Sequence, residues 1–143
     1  MSANAGKTVR VILRWIQVLD KLEPVFKEHG EFFFTTRVTS GNHTEQYRLP
    51  EEGHWEVSDH PRFNKIDKID LIIFEGSAGD SLTVEFEGEE IDQLSANDKL
   101  ERYARTFTGN ADAWAGRKRP GDEGEDDPES LPNWRVCYDV EVV

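Results

Sequence analysis

Apolar and polar residues alternate along most of this chain, and a period of two predicts strands. Across residues 8–18, Val9, Val11, Leu13 and Trp15 alternate with Arg10, Ile12, Arg14 and Ile16, a strand with at least one buried face. Pro24 and Gly30 break regular structure after it. Phe32, Phe34 and Val38 then share a face in a strand over 30–40, and Gly41 and Asn42 predict a turn. Residues 45–49 and 54–57 are two shorter strand candidates separated by Pro50, Glu51, Glu52 and Gly53. Residues 69–74 form a near-continuous apolar strand, and 75–80 turn the chain back. In the next strand Leu82, Val84 and Phe86 face one way, Thr83 and Glu85 the other. The stretch after Phe86 reads as a loop carrying Glu87, Glu89, Glu90, Asp92 and Asp98.

Residues 99–107 are ambiguous. Leu100, Tyr103 and Phe107 have helical spacing, whereas Tyr103, Arg105 and Phe107 have strand spacing, and the neighbouring strands decide for strand. Residues 108–133 are rich in Gly, Pro and acid and predict a long mobile loop. The chain closes on a strand with Trp134, Val136, Tyr138, Val140 and Val142 on one face. About eight strands with turn signals between them and no long helix predict an all-β, antiparallel eight-stranded β-sandwich. Residues 1–7 are expected to be a flexible tail, and 8–143 a single domain, as suits a chain of 143 residues.

Composition narrows the function. A net charge of -12 argues against nucleic acid, which requires a clustered cationic surface. It equally disfavours an anionic membrane unless a cation intervenes. One cysteine, Cys137, excludes an intramolecular disulfide framework and fits a reducing compartment. The polar start has no apolar core of a signal peptide, and no run approaches membrane-spanning length, so a cytoplasmic location is favoured and any membrane contact would be peripheral. No Ser-His-Asp, Cys-His or Gly-rich phosphate motif is present, and no carboxylate pair stands out for glycoside chemistry, so a non-catalytic protein is expected.

The acids are the remaining signal. Glu90, Asp92 and Asp98 are spaced acid-x-acid-x5-acid. Asp and Glu supply 29 of 143 residues, so a triplet of that kind is expected about once by chance. Segment order says more. HGEFFF at 29–34, HPRFNK at 60–65 before IDLIIF, LTVEF at 82–86, and EID followed by ND at 97–98 occur in sequence. In this the chain resembles the C2-domain family of calcium-dependent, phospholipid-binding β-sandwiches. That family shows a Gly-x-Ser-Asp-Pro-Tyr segment, an Asn-Pro-x-Trp-Asn-Glu turn, and Leu-x-Val-x-Val leading into Asp-x-Asp and Asn-Asp. The resemblance spans residues 9–107. It implies a C2-like fold and calcium ligands at Glu90, Asp92 and Asp98 in the third loop, at Glu31, and at Asp20 or Glu23 in the first. Glu stands for Asp at Glu31 and Glu90, which changes the carboxylate's reach by about one methylene. The Pro-Tyr is missing, and His60 and Lys65 replace the usual Asn and Glu. Val25, Phe26 and Leu94 would form an apolar fringe able to enter a bilayer interface, the plainer reading being burial under their own loops.

The implied function is attachment to a phospholipid surface or a protein partner through calcium. The alternative is a calcium-independent interaction or assembly module whose acids are solvated, with a carbohydrate-binding sandwich ranked lower. Trp15 and Trp134 lie on apolar strand faces and are expected in the core, which leaves Trp114 as the tryptophan to suspect of binding. His29, His43, His54 and His60 show no pair at metal-ligand spacing and read as surface or turn residues. The basic island at 117–120 is expected to balance the acidic stretch beyond it.

Overall fold

A computed structural model of the chain describes residues 4–18, 29–58, 65–91, 98–100, 102–120 and 134–143. Among these residues the strands are β1 (Thr8–Val18), β2 (His29–Ser40), β3 (His43–Leu49), β4 (Trp55–Ser58), β5 (Lys65–Ile66), β6 (Leu71–Ser77), β7 (Ser81–Glu90), β8 (Asp98–Lys99), β9 (Tyr103–Thr108), β10 (Gly116–Lys118) and β11 (Trp134–Val142). Eight of them match the strands read from the pattern. The other three, β5, β8 and β10, are only two or three residues long, too short to show a period.

Two antiparallel sheets result. In the first, β11 lies between β10 and β1, and β5 and β6 pair with the far side of β1. In the second, β2 is flanked by β7 on one side and by β3 and β4 on the other, and β8 and β9 continue beyond β7. The closing strand pairs to its end, Val142 opposite Val9, so the C-terminus is part of the sheet.

The inner faces meet in an aromatic-rich core, as expected of stacked sheets. Phe34 of the second sheet stacks on Trp134 of the first at 5.9 Å between ring centroids, and Phe86 meets Tyr138 edge-on at 5.4 Å. The hydroxyls of Tyr103 and Tyr138 hydrogen-bond at 2.7 Å inside this core, which allows two phenols to be buried there.

Three expectations are corrected by pairing. Leu13 opposes Tyr138 but Trp15 opposes Cys137, so Arg14 is an extra residue in β1, a β-bulge. The bulge shifts the alternation by one: Ile16 and Val18 turn inward, and Trp15 is only half-buried, with the Lys65 ammonium 4.2 Å from its ring centroid. Trp134 is in the core as expected. The strand expected from Ile69 begins at Leu71, because Lys68 and Asp70 take φ of 56° and 43°, outside the extended region. Residues 111–118, expected within a mobile loop, fold as a 3-10 turn (Ala111–Trp114) and β10. Trp114 is buried and donates from Nε1 to the carbonyl of Thr108 at 3.0 Å, so it anchors that turn and offers no binding surface.

Arg117 of the basic island is likewise structural, and the acidic stretch the island was expected to balance lies outside the described residues. Arg117 donates to Asp139 at 2.9 Å, and Arg14 donates to the same carboxylate at 2.7 Å. These two guanidinium groups hold the Asp139 carboxyl below its ordinary range. The first residues are also tied down. Asn4 is buried, donates to the carbonyls of Gly79 and Gly109 at 2.9 Å each, and accepts from the Ala111 amide at 2.8 Å. Residues 4–7 are therefore part of the folded unit, contrary to a flexible tail.

Those bonds define the two ends of the sandwich. Asn4, Gly79 and Gly109 lie at one end, and Ser40 joins them, its hydroxyl accepting from the Gly79 amide at 2.8 Å and donating to the Ser81 carbonyl at 2.7 Å. This end is packed backbone to backbone. A Cβ on Gly79 would sit 2.4 Å from the Gly41 nitrogen. The start of β1 and the finish of β2 are here, so the finish of β1 and the start of β2 lie at the opposite end.

Candidate functional site

At that opposite end, β2 begins beside the finish of β7. Phe32 opposes Glu90, and the Ile91 amide donates to the Glu31 carbonyl at 2.7 Å. Glu90 in turn opposes Asp98 of β8. The start of β2, the finish of β7 and β8 are thus neighbours at this end of the fold.

The acids themselves are arranged differently from the loop expected after Phe86. β7 runs unbroken to Glu90, so Glu87, Glu89 and Glu90 are strand residues and Asp98 belongs to β8. Gly88 lies inside this strand. A Cβ there would fall 2.8 Å from both Leu100 Cδ1 and Phe34 Cε1. Gly88 is the inward position at which the strand gives up its side chain so that Phe34 and Leu100 can pack over it. The inward phase of Leu82, Val84 and Phe86 continues through Gly88 to Glu90, which is 5% exposed at the edge of the core.

Glu85, Glu87 and Glu89 point the other way, onto the outer face of the second sheet. Arg102 bridges Glu85 and Glu87, lying 3.3 Å from the latter, and Arg37 reaches Glu85 at 3.9 Å. The Lys99 ammonium is 3.8 Å from Glu89. These acids have cationic neighbours of their own.

Glu31 is on the outer face too, opposite in sense to its neighbour Phe32. It is therefore on the other side of the sheet from Glu90, and the two do not share one face. Its surroundings are His54 and Glu56: Glu31 opposes Glu56 across the β2–β4 ladder, and His54 Nε2 is 3.6 Å from Glu31 Oε1. One ligating atom from each of the three lies within 4.8 Å of the others. His54 and Glu56 escaped the sequence reading because a His-x-Glu pair is commonplace until pairing supplies the third group. The legible signal was the period of two, which puts both on one face of a strand. Asp20, Glu23, Asp92, Val25, Phe26 and Leu94 fall outside the described residues, and of Asp98 only the backbone position is described.

Chemically, Glu90 and the acids of segments 19–28 and 92–97 offer only carboxylate oxygens, the donor set of a hard cation such as calcium. Glu31, His54 and Glu56 offer a mixed nitrogen and oxygen set. No helix among the described residues is long and apolar enough to cross a membrane, which leaves β-barrel spans unaddressed.

In sequence, no family model and no curated protein matches the chain. In structure it is similar to a C2 domain, the A domain, of a plant extended synaptotagmin 1, with a TM-score of 0.52 over 94% of this chain and 92% of that one, at 8% identity. That likeness is one of fold, and together with the two antiparallel sheets it makes the chain a C2-like β-sandwich.

Proposed function

We propose that the chain is a non-catalytic C2-like module of cytoplasmic type that attaches to a phospholipid surface or a protein partner when calcium is bound at one end of the sandwich. The observation that supports this reading is the Glu31–Ile91 backbone bond, which sets the start of β2 beside the end of β7, the strand ends from which the acidic segments 19–28 and 92–97 continue in sequence. Glu90, Asp92 and Asp98, with Asp20 or Glu23 from the facing connection, would be the ligands, and Glu31 stands at the rim. Bound calcium would neutralise this acidic end and offer coordination positions to a lipid phosphate. The β2–β7 ladder would support the rim of such a site, and Val25, Phe26 and Leu94 would be the residues to meet a bilayer.

A thermal melt with EDTA and with millimolar calcium tests the reading. A ligand bound only by the folded state stabilises by about 2.7 kcal/mol at a hundredfold excess over Kd. Asp92→Asn with Asp98→Asn should abolish the rise in Tm, and liposome sedimentation should then lose its calcium dependence. An unchanged Tm together with no heat of calcium binding rejects it. The cationic partners of Glu85, Glu87 and Glu89 would in that event favour the second reading, a calcium-independent interaction module with a locally neutralised sheet face.

A further inference from the structure

We propose that Glu31, His54 and Glu56 form a site for a borderline divalent metal ion of the zinc class, on the outer face of the second sheet and independent of calcium.

The site follows from strand geometry. His54 and Glu56 are two residues apart where β4 begins, which puts them on one face. Antiparallel pairing with β2 sets Glu31 directly opposite Glu56, with Phe32 opposite Trp55. Phe32 is buried in the core, so its neighbour Glu31 faces out. Two glutamates directly opposed across a ladder repel each other, an arrangement that destabilises a strand pair unless a cation lies between them. His54 approaches this pair, its Nε2 3.6 Å from Glu31 Oε1, too far for a hydrogen bond. The three groups are thus gathered, two carboxylates around one imidazole that stands at ion-pair distance from Glu31.

The donor types select the ion. Calcium and magnesium take oxygen ligands, and an imidazole among the donors directs a site toward zinc, copper or nickel. Ligand atoms around a tetrahedral zinc are about 3.4 Å apart, from bonds of about 2.1 Å. The present atoms lie within 4.8 Å of one another, so small torsional changes in three partly exposed side chains close the set. The ladder fixes the Cα positions of Glu31 and Glu56, and His54 is the residue immediately before its last pair, Phe32 with Trp55. Three protein ligands with a fourth position open to solvent is a recurrent zinc arrangement, and the open position can take water or a donor from another molecule.

The site is also separable from the calcium end. Glu90 faces the core side of the sheet, whereas Glu31, His54 and Glu56 face outward. His54 and Glu56 were not among the residues implied for calcium, so their replacement leaves that proposal untouched.

The full chain, stripped with a chelator and dialysed, should be titrated with zinc alone and with calcium alone by calorimetry, with imidazole signals followed by NMR. One equivalent of zinc is expected to bind and to shift the His54 ring resonances. His54→Ala and Glu56→Gln should each weaken zinc binding by more than about tenfold, the lower end of what losing even a supporting contact costs. His43→Ala, at a histidine beside Glu45 and the Phe74 ring and away from the Glu31–His54–Glu56 group, should leave the affinity unchanged. Asp92→Asn with Asp98→Asn should also leave zinc binding intact, so failure of the calcium reading is distinguishable from failure of this one. All three ligand positions are solvent-accessible, and a retained melting transition in each variant confirms folding. Absence of zinc binding overturns the proposal. So does zinc binding that leaves the His54 ring unshifted or survives His54→Ala.

Discussion

Gly88→Ala separates local propensity from tertiary packing, because the two predict opposite signs. A glycine inside a strand is worth about 0.5–1 kcal/mol less than alanine, from its extra unfolded-state entropy. On propensity alone the substitution should therefore stabilise. In the folded chain the new Cβ would lie 2.8 Å from Leu100 Cδ1, 2.8 Å from Phe34 Cε1 and 2.9 Å from Phe34 Cδ1. Leu100 is itself buried, and the Phe34 ring is held between Trp134 and Trp55 at centroid distances of 5.9 and 6.1 Å, so the ring has little room to retreat. Overpacking of this kind costs about 1–3 kcal/mol and outweighs the propensity gain, leaving a net loss of about 1–2 kcal/mol. For a domain of this length that is a fall in Tm of roughly 3–8 °C. Urea unfolding of wild type, Gly88→Ala, Leu100→Ala and the double variant gives the coupling directly. The double variant should be more stable than additivity allows by at least about 0.5 kcal/mol, since removing Leu100 Cδ1 relieves part of the clash. A Gly88→Ala chain with a raised midpoint, or strictly additive effects, would refute the packing role of Gly88.

Asp139→Asn should lower stability at neutral pH by loosening both Arg14 and Arg117. The wild-type carboxyl is held below its ordinary value when folded, so its contribution is fully present above the unfolded value near 4 and is lost as pH falls through the folded one; acid titrations of the two chains should converge there. Asn4→Ala should cost about 2–4 kcal/mol, because the carbonyls of Gly79 and Gly109 and the Ala111 amide each lose a partner, and a chemical melt with no change in midpoint would show that the first residues do not anchor that end.

The calcium reading and the zinc reading make contrasting demands on the same end of the molecule. One needs the acids of 19–28 and 92–97 to be collected by a hard ion; the other needs an exposed strand pair to hold a softer one. Both rest on the β2–β7–β4 arrangement, in which a single strand start, His29 to Phe32, is flanked on both sides.

Much of the fold was legible because the period of two is a local property. Phe32, Phe34 and Val38, then Leu82, Val84 and Phe86, then Trp134, Val136, Tyr138 and Val140 declare their faces in any antiparallel sheet, and the structure buries each set. The sandwich class followed from those faces and from the lack of a long helix. What the chain alone left undecided depends on which strand lies beside which. The bulge at Arg14 that turns Trp15 outward exists only in register with Cys137 and Tyr138. Glu87, Glu89 and Glu90 read as loop residues until β7 runs on past Gly88 with Phe34 and Leu100 packed over it, and only then does Glu90 count as an inward residue. Arg14, Arg117 and Asp139 are far apart in sequence and meet because β11 lies between β1 and β10. His54 and Glu56 read as ordinary surface residues until β4 pairs beside Glu31. Side-chain alternation is fixed by backbone stereochemistry within a few residues, whereas a site of this kind is made by contacts between strands that only the closed sheets bring together.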